Sequence, residues 1–323
     1  MAVYTHLASE DLAALIAAYD VGELVSAKGI AEGVSNSNWL VETSGRNGAG
    51  ARFILTMYEK RTDPGELPFF LGLLDHLAAK GCAVPATLHD RDGAAFRRHN
   101  GKALALIEYL PGISPDAPSA AQAHAVGAAL ARVHLAANDF DRTRANDLNM
   151  RACLAILDRC SEERLAGIDP ELPQWLGAAR DLVARWPQDL PRSIIHSDLF
   201  PDNVLMRGAR VTGLIDFYFA CHDMMAYDLA VTHAAWCFDR SGLGFAPEIG
   251  EALVSGYQSV RPLEPGEREA LPRLAQGACL RFTASRAQDW LDTPADALVT
   301  RKDPMDFTRR WKFYAENGNR VFA

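Results

Sequence analysis

A proline–glycine break at Pro111-Gly112 sets the architecture of this 323-residue chain. Ser114-Pro115-Asp116-Ala117-Pro118 lengthens the break, and the residue patterns on its two sides differ. Before it, residues 38–43 and 52–57 are rich in β-formers, and the Gly-rich stretch 44–50 joins them as a hairpin loop. Residues 68–80 read as one helix stopped by Gly81, and strand-like runs return at 94–99 and 104–109. Ahead of these, Ser9 reads as an N-cap with Glu10 and Asp11 behind it, opening a short helix. After the break, Val126, Leu130, Val133, His134 and Ala137 share one face of a helix that starts near Ser119. Helical stretches follow near 151–164, 172–185, 227–238, 246–260 and 267–290, and only 193–195 and 204–216 bring strand character. The expectation is an α+β chain in two lobes. Residues 1–110 form a small antiparallel β-sheet lobe with one inserted helix, and residues 111–323 form a larger, mainly helical lobe.

Composition narrows the class. The formal net charge is −8, which argues against a dedicated nucleic-acid or anionic-membrane binder. No apolar run reaches the ~18 residues of a membrane span. The start, Met1-Ala2-Val3-Tyr4-Thr5-His6, has neither the basic nor the apolar region of a secretory signal. None of the six cysteines forms a C-x-x-C pair, so reduced thiols in a cytoplasmic protein are expected rather than zinc.

The chemistry concentrates in His196-Ser197-Asp198-Leu199-Phe200-Pro201-Asp202-Asn203. Apolar Ser193-Ile194-Ile195 leads in and Val204-Leu205-Met206 leads out, so a buried strand delivers the loop and another carries the chain away. The spacing from Asp198 to Asn203 matches the D-x-x-x-x-N loop of kinase-type phosphotransferases. One carboxylate receives or orients the proton of an attacking hydroxyl, and a short turn later an amide oxygen ligates Mg²⁺. Thirteen residues past Asn203 comes Asp216, at the end of an apolar run. Arg207-Gly208-Ala209-Arg210 reads as a hairpin tip that folds Asp216 back beside Asn203, giving oxygen ligands suited to a hard cation. Asp216-Phe217-Tyr218 then stands where kinases carry D-F-G.

These words resemble the aminoglycoside phosphotransferase and choline kinase superfamily, small-molecule kinases with the two-lobed protein-kinase-like fold. Within it, the resemblance extends to the homoserine kinases of this fold. It rests on the opening M-A-V-Y-T, on Phe53-Ile54-Leu55-Thr56 followed by Tyr58-Glu59-Lys60-Arg61, and on Leu67-Pro68-Phe69-Phe70. Ile215-Asp216-Phe217-Tyr218-Phe219-Ala220 and Tyr227-Asp228-Leu229-Ala230 complete it. The resemblance implies ATP and Mg²⁺ as cofactors, with Asp198 as catalytic base and Asn203 and Asp216 as metal ligands. It implies His196 and Asp228 as supports of the loop. Glu108, Tyr109 and Leu110 would be the segment that reads adenine, and Gly33, Val34, Ser35 and Asn36 part of a loop that covers the phosphates. Arg281, Arg286 and Tyr218 are candidates for the substrate, with Arg144 a further cation for its carboxylate. The implied partner is a small amino-acid substrate, with no nucleic acid or membrane, in a monomer or homodimer.

One position departs from the pattern. The third strand of such kinases carries a phosphate-clamping Lys, and here Thr56 stands at that place. Lys28, Lys60 and Arg61 are candidates to replace it, and Glu66 is the nearest partner on the inserted helix. The favoured function is phosphorylation of the hydroxyl of L-homoserine. The alternatives are a choline, aminoglycoside or methylthioribose-type kinase, and an inactive nucleotide-binding scaffold. A protein kinase fits poorly, because only eleven residues separate Asp216 from Asp228, no A-P-E follows, and Ser197 replaces the Arg of H-R-D.

Overall fold

A computed structural model describes residues 7–30, 36–59, 63–293 and 301–322. The chain divides into two compact units, Met1–Gly112 and Ile113–Ala323.

The first unit opens with α1 (Ser9–Ala17). Its N-cap is Ala8, with no side-chain cap, so Ser9 lies inside the helix rather than capping it. Strands β1 (Leu24–Ile30), β2 (Asn36–Thr43) and β3 (Ala51–Tyr58) follow. Helix α2 (Leu67–Ala79) is inserted before the short β4 (Thr87–Leu88), β5 (Arg97–His99) and β6 (Lys102–Glu108). The sheet runs β1-β2-β3-β6-β4, with β5 paired to β6, and every pairing is antiparallel. Alternation along β2 and β3 sends Trp39, Val41, Leu55 and Met57 into one core with Leu12, Leu15 and Ile16 of α1. Asn36, Ser37 and Asn38 belong to β2, pairing with Tyr58, Met57 and Thr56.

The second unit is mainly helical. Helix α3 (Ala120–Ala136) starts in a capping box, where Ser119 Oγ accepts from Gln122 N at 3.3 Å and Gln122 Oε1 accepts from Ser119 N at 2.9 Å. The single helix expected over 151–164 is two, α4 (Met150–Arg159) and α5 (Glu162–Ile168). Extended backbone at Cys160 breaks them, and Ser161 Oγ caps the second by accepting from Arg164 N at 3.3 Å. Helix α6 (Glu171–Ala184) leads to β7 (Arg192–Ile195), then β8 (Val204–Arg207) and β9 (Arg210–Leu214). Cys221–Met224 forms a strand, β10, antiparallel to β7, so His222 and Asp223 sit in a ladder. Helices α7 (Met225–Trp236), α8 (Pro247–Gln258), α9 (Pro265–Asp292) and α10 (Met305–Val321) complete the unit. Every residue of α7 is buried, so it forms the unit's central post.

Candidate active site

The catalytic loop lies in the second unit, between the end of β7 at Ile195 and the start of β8 at Val204. A 3-10 turn over Pro201–Asn203 closes it. The β8–β9 hairpin returns the chain, and Ile215 N donates to Asn203 O at 3.0 Å. Asp216 is the next residue, which is how the hairpin brings it to Asn203. Asn203 Nδ2 donates to the Asp198 carbonyl at 2.8 Å. That bond fixes the amide plane and leaves Oδ1 as the atom a cation would meet.

Ser197 and Asp216 both take left-handed backbone, each with φ of 67°. Such conformations cost about 1–3 kcal/mol each in a non-glycine residue and persist only where the surroundings hold them. The holding groups are visible. Asp228, on α7, accepts from His196 N and Ser197 N through its two carboxylate oxygens, at 2.7 Å each. His134 Nε2 on α3 donates to Asp228 Oδ2 at 3.0 Å, and its Nδ1 pairs with the Tyr257 hydroxyl at 2.8 Å. Burial pushes the Asp228 carboxyl up, but these hydrogen bonds and the nearby histidines outweigh it and hold the carboxyl below its usual range. The His196 ring is also buried. Its Nδ1 accepts from Asp198 N at 3.2 Å, its Nε2 donates to Ile215 O at 2.9 Å, and it packs on Phe217 at 4.4 Å. Burial lowers its basicity, and a neutral ring with this tautomer satisfies both bonds. One imidazole thus ties Asp198 to the strand end that carries Asp216.

The two acids differ electrostatically from ordinary carboxylates. Burial raises the Asp198 pKa, and Arg281 partly offsets it. Asp216 is pushed up to about 7 by crowding among protein atoms, with Asp198 and Asp202 adding like-charge repulsion. Such repulsion is what a bound cation relieves. Among the described residues no cluster of three or more His, Cys, Asp or Glu could hold a metal. Mg²⁺ is a hard cation that takes one or two protein oxygens and completes its shell with phosphate and water, and the Asn203 amide oxygen and Asp216 carboxylate are donors of that kind.

The candidate substrate residues fall differently. Arg281, on α9, is almost fully buried; its Nη1 donates to Ser197 O and its Nη2 lies 3.6 Å from Asp198 Oδ1. Both of its terminal nitrogens are thus turned toward the loop. Arg286 is committed to Asp306 at 3.1 Å and to Asp303 O at 3.0 Å, and it packs over Phe307. Arg144 pairs with Asp147. Tyr218 is half-buried in the 3-10 turn after Asp216, and its N–H reaches the Asp216 carboxylate.

In the first unit, Gly33, Val34, Ser35, Lys60 and Arg61 lie outside the described residues. Asn36 is the first residue of β2, and its Oδ1 accepts from Glu59 N at 3.4 Å. Thr56 is buried and donates to Asn38 Oδ1 at 2.8 Å, so it carries no charge toward a phosphate. Lys28 sits on β1 opposite Leu40. Glu66 directly precedes α2. Glu108 ends β6, its N–H donating to Ala86 O at 2.9 Å and its carboxylate accepting from Ala86 N at 3.2 Å. Arg52 stacks over the Tyr109 ring at 4.9 Å, and Leu110 follows, half-buried. Sequence reasoning placed His134 in the core but missed its bond to Asp228, because a contact across 94 residues leaves no local spacing.

Residues 26–263 match the model of the phosphotransferase enzyme family. A homoserine kinase of Acidiphilium cryptum is 46% identical over 320 residues, covering 99% of this chain and 98% of that protein. One from Agrobacterium fabrum is also 46% identical, covering 99% and 97%. Among solved structures, the amicoumacin kinase hAmiN superposes with a TM-score of 0.68 at 11% identity, covering 96% of this chain and 94% of that one. Choline kinase from Cryptosporidium parvum gives 0.61 at 12%, covering 92% and 89%. At such identities these likenesses concern the fold, which is that of protein-kinase-like phosphotransferases. The full-length relatives and the matching family model reach further: the chain belongs to the phosphotransferase enzyme family and, within it, to the homoserine kinases.

Proposed function

We propose that this chain transfers the γ-phosphoryl group of ATP to the hydroxyl of L-homoserine, giving O-phospho-L-homoserine for threonine biosynthesis. The observation that supports it most is the single loop-and-hairpin unit of Asp198, Asn203 and Asp216, in a chain 46% identical to homoserine kinases over 99% of its length. Choline and aminoglycoside kinases share only the fold, which does not select a substrate.

Phosphoryl transfer asks mostly for positioning and charge neutralisation. Asp198 aims the substrate hydroxyl and takes its proton. Asn203 Oδ1 and the Asp216 carboxylate would hold Mg²⁺, which supplies positive charge to the phosphates. Asp228 and His196 keep the loop from relaxing out of its left-handed turn. Residues 1–110 serve as the nucleotide-binding lobe, with Glu108, Tyr109 and Leu110 as its adenine-reading segment and Gly33, Val34 and Ser35 covering the phosphates. Residues 111–323 serve as the catalytic and substrate lobe. The protein works in the cytoplasm as a monomer or homodimer; Cys153, Cys160, Cys221, Cys237 and Cys279 are buried thiols, which suits a reducing compartment.

A substrate panel tests this reading. ADP release is followed with homoserine, threonine, serine, choline, an aminoglycoside and methylthioribose, each with and without Mg²⁺. Homoserine alone should turn over, and only with the metal. Turnover of another compound with homoserine inert overturns the substrate and keeps the reaction class. ATP binding with no turnover of any compound supports the scaffold instead.

A further inference from the structure

We infer that Arg281 is a positioning residue for phosphoryl transfer: from α9 it grips the Ser197 carbonyl and faces the Asp198 carboxylate, holding the base at its working angle. The inference rests on the proposed role of Asp198. Ser197 stands where protein kinases carry the Arg of H-R-D, so the loop brings no guanidinium of its own. Arg281 returns one from 84 residues further along the chain.

The geometry is specific. The Ser197 peptide is held by charge on both sides: the Asp228 carboxylate takes its N–H at 2.7 Å, and the Arg281 guanidinium takes its carbonyl. Ser197 is left-handed, and Arg281 adds to the hold that His196 and Asp228 have on that bend. The second arm, Nη2, stops 3.6 Å from Asp198 Oδ1, an ion pair beyond hydrogen-bond length. It attracts the carboxylate without closing on it, so the carboxylate stays open to a hydroxyl. Two rings fix the guanidinium plane, Phe282 at 4.5 Å and Phe219 at 5.1 Å. Its Nε is buried without a hydrogen-bond partner. A dry guanidinium with an unmet donor is a poor choice for stability alone, and apolar residues of similar volume would pack α9 at least as well. Its orientation toward the reacting base explains what packing does not.

A double-mutant cycle tests the inference, with kcat and both KM values measured for Arg281→Lys, Asp198→Asn and the pair. Lysine keeps the charge and loses the fork that spans Ser197 and Asp198. Misplacing the base should lower kcat by on the order of 10²-fold, with the KM values for ATP and homoserine little changed. In the Asp198→Asn background the same change should cost under about two-fold, because nothing is left to position. Equal losses in both backgrounds, or a wild-type kcat for Arg281→Lys, overturn the inference. If Asp198→Asn alone keeps full kcat, the proposed base is wrong and the inference falls with it, a result distinct from equal losses. Because Arg281 is buried, Phe219→Leu provides a second route. Phe219 is 44% exposed and its loss loosens the same guanidinium without threatening the core. Its kcat loss should likewise vanish in the Asp198→Asn background, and persistence there counts against positioning.

Discussion

At the scale of single residues, the site contains its own control. Asp198 and Asp202 share one loop, yet their surroundings differ. Asp198 is crowded by Arg281 and hydrogen-bonded through its backbone to His196 and Asn203. Asp202 is exposed, and its carbonyl accepts from Ser114 Oγ at 3.1 Å. Base catalysis of this kind contributes roughly 10²–10⁴-fold. Asp198→Asn should lose about that factor in kcat while ATP binding holds, and Asp202→Asn should keep most activity. Steady-state rates under saturating ATP and homoserine decide it; a dead Asp202→Asn beside a normal Asp198→Asn would mean the loop is read in the wrong register. The three acid and amide positions were legible because a loop and a hairpin fix them locally. The task of Arg281 was not, because an ion pair across the fold has no sequence period.

At the scale of elements, α3 and α8 approach through glycines. A Cβ on Gly127 would lie 2.1 Å from Leu253 O, and one on Gly256 would lie 2.0 Å from His124 O. Backbone therefore meets backbone at this crossing, and the crossing places Tyr257 against His134 and His134 against Asp228. Gly256→Ala should lower stability by roughly 1–3 kcal/mol or more, since the obstacle is backbone rather than a movable side chain. Gly177→Ala, in α6 with open space around it, should be neutral or stabilising by up to about 1 kcal/mol. Thermal melts of the two variants check both, and a tolerated Gly256→Ala would show that the helices can part cheaply. β2, β3 and β6 were legible from their runs of β-formers, and α3 from the shared face of Val126, Leu130, Val133 and His134. The split of α4 from α5 was signalled by Ser161-Glu162-Glu163, a capping serine with acids behind it, yet the apolar run hides it. β10 was illegible because it exists by pairing with β7, a contact 26 or more residues away. α10 was not among the helical stretches read from the sequence, although it buries Met305, Phe307 and Tyr314.

At the scale of the whole second unit, a buried histidine makes stability depend on acid. His233 is fully buried on α7; its Nδ1 pairs with the Tyr314 hydroxyl at 2.6 Å and its Nε2 has no hydrogen-bond partner. Its ring lies among Phe245, Tyr314 and Phe322, and its Nε2 points at Gly250, so no carboxylate offsets the loss of water. Burial lowers its pKa from 6.5 to about 3. The sign follows from proton counting. Below pH 6.5 the unfolded chain binds a proton at this ring that the folded chain refuses, so stability is complete above 6.5 and falls as pH drops toward 3. Between pH 7 and 5 this one group removes about 2 kcal/mol. His196, also held neutral by burial, acts in the same direction. The low pKa of Asp228 adds a further loss only below the ordinary carboxylate range, near 3.8. Asp216, pushed up to about 7, takes up its proton in the folded chain over the same window and opposes the loss through His233, so the test compares unfolding midpoints at pH 7, 6 and 5 in the wild type and in His233→Phe. From pH 7 to 5 the midpoint of His233→Phe should fall less, or rise more, than that of the wild type, whatever its effect at pH 7. Parallel slopes for the two proteins would mean that His233 takes up its proton in the folded state as readily as in the unfolded one.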